Sequence, residues 1–329
     1  MIISRTPFRV SFVGGGTDLK SFHEHEDGMV LSTTINKFIY VTVHKQVGIV
    51  ENKYRIGWSK VEFKDEIDDI EHPIVREALR LMKIDFPVEI TTFADVPGYT
   101  GLGSSSSFTV GLLHSLFALK GQMVTKNELA VLAAKIEVDL LKRPIGSQDH
   151  FAASYGGINI FTFHKNETVS VEPVFCKTNV SDTLSKNLML FYTGIQRNAS
   201  DILDIQSAKT VEKIEVLREM KNMVIPLGQI LSEGSSINKV GDILHKGWQL
   251  KKSITSEISS AKIDEYYSLA LDAGALGGKL LGAGGGGFIM LYVEPHNQKA
   301  VGQALSPLFQ LGFKFDTSGT RITYYDQNE

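Results

Sequence analysis

Ten residues constrain what the rest of this chain can fold into: Gly98-Tyr99-Thr100-Gly101-Leu102-Gly103-Ser104-Ser105-Ser106-Ser107. Just upstream, residues 88–96 read as a strand. Just downstream, Val110, Leu112, Leu113, Leu116 and Phe117 recur at helical spacing, so a helix over residues 108–120 begins at or near the serines. A glycine turn and a hydroxyl cluster between a strand and a helix start make an anion site. The first N–H groups of a helix lack intrahelical acceptors, and the helix dipole favours negative charge there. Gly101 and Gly103 let the backbone approach a polyphosphate closely, and serine hydroxyls can donate to phosphate oxygens or ligate Mg²⁺. The simpler alternative is a serine-rich turn with an ordinary cap. Two glycines and four consecutive serines in this context favour phosphate.

Composition bounds the class. The chain has 329 residues, enough for two domains with a core each, and 43% apolar with 22% charged residues is a soluble globular profile. A net charge of −3 provides no basic field for nucleic acid or an anionic membrane. Cys176 is the single cysteine, so no internal disulfide can form. Arg5 interrupts the N-terminus before any signal-type apolar run, and no run approaches a membrane span. The expectation is a cytoplasmic protein with no nucleic-acid or membrane partner. A homodimer is compatible with the sequence.

The chain carries two further glycine loops. Residues 2–14 alternate loosely (Ile3, Phe8, Val10, Phe12) and run into Gly14-Gly15-Gly16-Thr17-Asp18, a strand followed by a turn. His23 and His25 lie in a polar stretch that reads as an exposed turn more readily than as a metal site. Residues 28–45 read as one or two strands, residues 65–71 as an acidic solvated loop, and residues 73–82 as a helix opened by Pro73. A helix over residues 126–142, capped by Thr125 or Asn127, carries Leu129, Leu132, Ala133, Ile136 and Leu140 as its apolar stripe, with Glu137 beside that stripe. Pro144 ends it before Gly146-Ser147-Gln148-Asp149. Strands at 157–163 and 168–174 close a first domain, residues 1–180. The polar stretch 178–187 marks the boundary to a second, residues 181–329. There the sequence predicts strands at 188–192, 288–293 and 319–325, and helices at 207–232, 237–254, 263–273 and 298–311. Gly282-Ala283-Gly284-Gly285-Gly286-Gly287 is the third glycine loop. Interleaved strands and helices make the class α+β.

The third loop contains a literal G-x-G-x-x-G, but its strand follows instead of preceding it, so the dinucleotide-binding reading fails on context. No G-x-x-x-x-G-K-[ST] run and no protein-kinase D-F-G motif is present. Together the loops resemble the three motifs of the GHMP small-molecule kinases, over the full length of the chain. Pro7-Phe8-Arg9-Val10-Ser11-Phe12-Val13-Gly14 through Asp18 is similar to their first motif, residues 97–106 to their second and residues 281–288 to their third. The fuller patterns, including Gly146-Ser147-Gln148-Asp149 and Thr193-Gly194-Ile195-Gln196-Arg197, look closest to the bacterial sugar-1-kinase branch that contains the D-glycero-D-manno-heptose 7-phosphate kinases. Gly15-Gly16 stands where galactokinases carry Glu-His, which argues against galactose. Tyr99 stands where glycine is frequent.

The resemblance implies a fold, a reaction and a set of residues. The fold is a two-domain GHMP kinase, with a first domain like domain 2 of ribosomal protein S5 and a ferredoxin-like second domain. The reaction is ATP- and Mg²⁺-dependent phosphorylation of a small sugar or sugar phosphate at C1. Gly98, Thr100, Gly101, Leu102, Gly103, Ser104, Ser105 and Ser106 would bind the nucleotide, and Ser105 with Glu137 the Mg²⁺. Asp149 would be the base or orienting carboxylate, and Arg9 the cation that lowers the acceptor's pKa or stabilises transferring charge. Asp18, Gly15, Gly16, Gly285 and Gly286 would face the sugar. Without the resemblance Asp149 reads as an ordinary cap, Arg9 as a strand-end charge and Glu137 as a helix-surface residue. His150 adjoins Asp149, but neighbours on a helix point apart, so it is given no role. A phosphorylated acceptor requires a cation at its far end. Arg143, Lys37 and Arg197 are candidates, and Arg197, next to an expected helix start, is preferred. A free-sugar kinase, for fucose as an example, and a catalytically silent binding protein on the same fold are the alternatives.

Overall fold

The computed structural model describes residues 1–47, 49–196 and 199–326. The chain opens with β1 (Ile2–Val13), a one-turn helix α1 (Lys20–His23) and β2 (Gly28–Lys45). β3 (Tyr54–Gly57), β4 (Val61–Lys64), α2 (Pro73–Met82), β5 (Val88–Ala94), α3 (Ser104–Leu119), α4 (Lys126–Ala134), α5 (Gln148–Tyr155), β6 (Ile158–Phe163) and β7 (Val169–Pro173) follow. The second half contains α6 (Thr178–Asn187), β8 (Leu188–Tyr192), α7 (Ala199–Ala208), α8 (Ile214–Asn222), α9 (Val224–Glu233), α10 (Lys239–Lys252) and α11 (Ala261–Asp272). It ends with β9 (Gly277–Leu280), β10 (Phe288–Tyr292), α12 (Gln298–Ala304), β11 (Phe309–Leu311), β12 (Phe315–Asp316) and β13 (Arg321–Tyr325).

β2 is the spine of the first sheet. Its first half pairs with β6, its second half with β5, and β1 runs antiparallel along most of its length. Register shifts after Pro7 and Ser11 bend β1 over the helices, as bulges do. Among the described residues only β3 and β5 pair in parallel in this sheet. The second sheet, ordered β11-β8-β10-β9, is antiparallel throughout, and every residue of β10 is buried. A division near residue 180 leaves the second sheet wholly on the C-terminal side. The first sheet, however, recruits β12 onto β2 and β13 onto β1 from the far end of the chain. One apolar core runs from Phe8 and Val10 through Leu112 and Leu116 to Leu190, Trp248 and Leu291, and so ties the two sheets together.

Four expectations need correction. The polar stretch 178–187 is a helix, held by Val180 and Leu184 on one face; two apolar residues at i, i+4 are too thin a stripe to show in sequence. The long helix expected over 207–232 is three pieces. Thr210 bonds back to the Gln206 carbonyl where the chain leaves α7, and Pro226, which has no N–H to donate, sits in the first turn of α9. The helix expected over 298–311 stops at Ala304, three residues before Pro307, and residues 309–311 pair with β8 instead. The helix expected over 126–142 is α-helical only to Ala134 and then widens into a π-helix, Lys135–Leu140. Among the described residues no helix is long and apolar enough to cross a membrane.

Candidate active site

A cleft of about 890 Å³ lies between the two sheets' helices, lined by residues from all three glycine loops, and is large enough for two small ligands. Gly103 caps α3 and contributes no side-chain hydrogen bond. The N–H groups of Ser104, Ser105 and Ser106 therefore have no intrahelical acceptor, and all three residues face the cleft. Gly98, Gly101 and Gly103 line it with them. Thr100 and Leu102 do not: the Thr100 hydroxyl donates to Pro97 O at 3.0 Å, and the Leu102 side chain belongs to the core. Tyr99 sits at φ 60° with its side chain 70% exposed at the cleft mouth. That is the left-handed region glycine favours, in accord with the glycine frequent at this place in the family it resembles.

Two carboxylates face this loop in different settings. Arg9, at 4% exposure, donates through Nε and Nη2 to the two oxygens of Asp149, each at 2.6 Å, and through Nη1 to Gly101 O at 2.6 Å. One guanidinium thus fixes a carboxylate against the second glycine loop with fork geometry. Glu137 lies on the π-helix and is fully buried. Its Oε1 accepts from Thr109 at 2.8 Å and contacts His150 Nε2 at 3.0 Å, while its Oε2 accepts from Ser105 and from Arg143, each at 2.5 Å. Burial alone would raise this carboxyl, but the His150, Ser105 and Arg143 contacts outweigh it and hold it at about 2. The Ser105 and Glu137 oxygens are hard donors side by side, a set that fits Mg²⁺, which completes its shell with water and phosphate oxygens. The Arg143 guanidinium holds the carboxylate oxygen such an ion would take. His150 and Asp149 do point apart, and His150 is buried behind Glu137, a supporting position that the sequence did not signal.

The other end of the cleft is polar. Asp18 Oδ1 accepts from Gly16 N at 2.9 Å, and burial pushes its carboxyl above the usual range against the pull of Gly16 and Gln148. Gly146 passes so close that a Cβ there would lie 2.0 Å from Asp18 Oδ2. Gly15, Gly16, Ser11, Gln148 and Gln206 surround this point. Lys251, from the end of α10, and Lys279, from β9, line the same wall and are each 6% exposed; helix and strand periodicity gave no sign of either. The opposite end is apolar. Trp58 meets His72 edge-on at 4.9 Å, His72 packs on Phe108 at 5.1 Å, and Ile39 and Val96 complete the wall. Burial brings His72 down to about 4, so it is neutral at pH 7.

Some expected residues lie elsewhere. Gly285 and Gly286 do not line the cleft: Gly285 N donates to Ile258 O at 2.9 Å, and a Cβ on Gly286 would lie 2.5 Å from Ile195 O. The third loop packs backbone on backbone against the second, with a Cβ on Gly282 placed 2.7 Å from Gly101 Cα. That contact requires Gly282 and also Gly287, where a Cβ would lie 2.4 Å from Thr100 O. Arg197 lies outside the described residues. Lys37 is not among the residues that line the cleft, whereas Arg143 is, bound to Glu137. His23 stacks on Phe163, and among the described residues no group of three or more His, Cys, Asp or Glu side chains gathers.

Residues 73–157 match the model of the GHMP kinases N terminal domain, and residues 227–309 that of the GHMP kinases C terminal. A D-glycero-alpha-D-manno-heptose 7-phosphate kinase of Campylobacter jejuni is 30% identical, over 97% of this chain and 97% of its own. The chain belongs to the GHMP kinase family. It is a phosphotransferase with an alcohol group as acceptor, and kinases of this family use ATP. Among solved structures, a D-glycero-D-manno-heptose 1-phosphate kinase from Bacteroides thetaiotaomicron superposes with a TM-score of 0.81 at 26% identity, over 99% of this chain and 100% of its own. A Lactococcus lactis galactokinase, at 18% identity and a TM-score of 0.75 over 98% and 94% of the two chains, shares the fold.

Proposed function

We propose that this GHMP kinase transfers the γ-phosphoryl group of ATP to the anomeric (C1) hydroxyl of D-glycero-D-manno-heptose 7-phosphate, a step toward nucleotide-activated heptose for surface glycans. The observation that carries the reaction type is the Arg9–Asp149 fork, set between a helix-start phosphate cradle and a buried polar wall around Asp18. The names printed for the Campylobacter and Bacteroides relatives support the sugar.

In this reading the Ser104–Ser106 amides and Gly101 hold the nucleotide phosphates, and the Trp58–His72 end takes the base. Ser105 and Glu137 would hold Mg²⁺, which would supply charge neutralisation at those phosphates. Asp149 orients the acceptor hydroxyl and takes its proton at a carboxylate oxygen, while Arg9 keeps that carboxylate in place and faces the charge that moves. Asp18 receives sugar hydroxyls, with the Gly15–Gly16 backbone leaving room for the ring. Residues 1–180 and 181–329 would both line the cleft.

The test is ADP release with ATP and Mg²⁺ across a panel of heptose 7-phosphate, heptose, fucose and galactose. The expected result is the highest kcat/KM with heptose 7-phosphate. Equal values for phosphorylated and free heptose would favour a free-sugar kinase, and no ADP with any sugar would favour a silent binding protein.

A further inference from the structure

Lys251 and Lys279 are the largest unexplained feature of the cleft. Each ammonium is buried, and each is anchored on a carbonyl: Lys251 Nζ donates to Gly282 O, and Lys279 Nζ donates to Phe12 O at 3.1 Å. No ion pair of either with a carboxylate is present among the described residues. A buried ammonium without a counter-charge is costly: burial pushes both amines down, Lys251 to about 8 and Lys279 well below the usual lysine range, and an anion bound beside them would restore their charge. The charged groups that face Lys251 are Arg9 on β1, Asp149 on α5 and Asp18 on the first glycine loop; Lys279 faces Lys251, Arg9 and Asp18. Asp149 is already committed to the Arg9 fork, so Asp18 is the one carboxylate among these groups left to face the two lysines.

Around the first glycine loop, three buried polar atoms have no hydrogen-bond partner: Ser11 Oγ, Gln148 Oε1 and Gln206 Nε2. All three side chains crowd Gly15 and Gly16. A Cβ on Gly15 would lie 3.8 Å from Ser11 Oγ and from Gln148 Nε2, and one on Gly16 would lie 2.4 Å from Gln206 Nε2. Unsatisfied donors and acceptors in a buried wall match hydroxyl groups. The nucleotide phosphates have a separate seat at the start of α3, so these groups are left for the second ligand.

We propose that Lys251 and Lys279 form the phosphate seat of the acceptor site, with Ser11, Gln148 and Gln206 reading hydroxyls of the same sugar phosphate. The inference rests on the kinase reading above and adds the residues that select a phosphorylated acceptor. The two lysines take the part expected of Arg197.

The experiment compares wild type with Lys251→Met, Lys279→Met and Lys251→Arg in the full chain. Calorimetry without nucleotide measures binding of heptose 7-phosphate and of heptose, ADP binding is measured in parallel, and kcat/KM is taken for both sugars. Each Met variant is expected to lose about 10- to 100-fold more affinity for the phosphorylated sugar than for the free one, the range for a charge-assisted hydrogen bond. Lys251→Arg is expected to keep most of the preference, and ADP affinity to stay within about twofold. Equal losses on both sugars, or a loss of ADP binding, would place the pair on the transferring or nucleotide phosphate and overturn the proposal, as would unchanged discrimination. A Met variant that fails to fold leaves the decision to the other and to Lys251→Arg. Because calorimetry needs no turnover, an absence of kinase activity in the wild type would sink the kinase reading separately from the phosphate seat.

Discussion

Arg9 and Lys251 show at the scale of single residues how one cleft treats two cations differently. Arg9 has a carboxylate partner and fixes Asp149 in one orientation. Asp149→Asn is therefore expected to leave ADP affinity nearly intact while kcat falls roughly 10²- to 10⁴-fold, the range for loss of a positioned base; near wild-type kcat would remove Asp149 from the chemistry. Among the described residues Lys251 bonds only a carbonyl, and burial lowers it to about 8. An unfolded lysine titrates at about 10.4, so between these two values the unfolded chain binds more protons than the folded one. On this residue's contribution, stability rises as pH increases from about 8 to about 10.4, while below about 8 the folded state carries the whole cost of the buried charge. Urea unfolding at about pH 7.5 and about pH 9.5, on either side of the lowered value, checks this. The wild type should gain stability relative to Lys251→Met at the higher pH, and a constant difference would contradict it.

At the scale of elements, the site depends on two local departures from regular structure. The π-helix turns Glu137 inward toward Ser105, as such bulges do at functional sites. If both side chains act through one Mg²⁺, Ser105→Ala and Glu137→Gln should each raise the Mg²⁺ concentration for half-maximal rate, with a combined effect that is less than additive. Full additivity would separate their roles. The second departure is the turn at Gly146, where the absence of a side chain makes room for Asp18. Gly146→Ala should displace that carboxylate and lower acceptor kcat/KM by about 10²-fold with ADP affinity kept; an unchanged kcat/KM would show that Asp18 does not face the sugar. The strand–loop–helix around Gly98–Ser107 was legible because glycines, serines and an apolar helix face sit in immediate succession. Glu137 could be placed beside the apolar stripe, but the extra residue per turn that buries it leaves no periodicity to read. His72 and Trp58 were missed because an apolar ligand wall assembled from a strand end and a helix cap has no spacing rule. Lys251 and Lys279 were missed because a basic residue at a helix end or in a short strand reads as a solvated charge until tertiary packing covers it.

At the scale of the whole molecule, the three glycine loops, distant in sequence, converge because β1, α3 and β10 share one core. The second and third loops touch through bare backbone at Gly101 and Gly282, and Gly282 O in turn anchors Lys251, so that lysine is held at a fixed distance from the start of α3. The return of β12 and β13 to the first sheet had no signal in the sequence, since pairing across more than 270 residues is decided by the fold and not by local pattern. In the proposed reaction this convergence delivers a phosphoryl group to an anomeric oxygen. Phosphorus NMR of the reaction with ATP, Mg²⁺ and heptose 7-phosphate tests it most directly. The expected result is ADP together with a second sugar phosphate resonance coupled to the anomeric proton. A new phosphate coupled to any other sugar proton, or ADP accompanied only by inorganic phosphate, would contradict it.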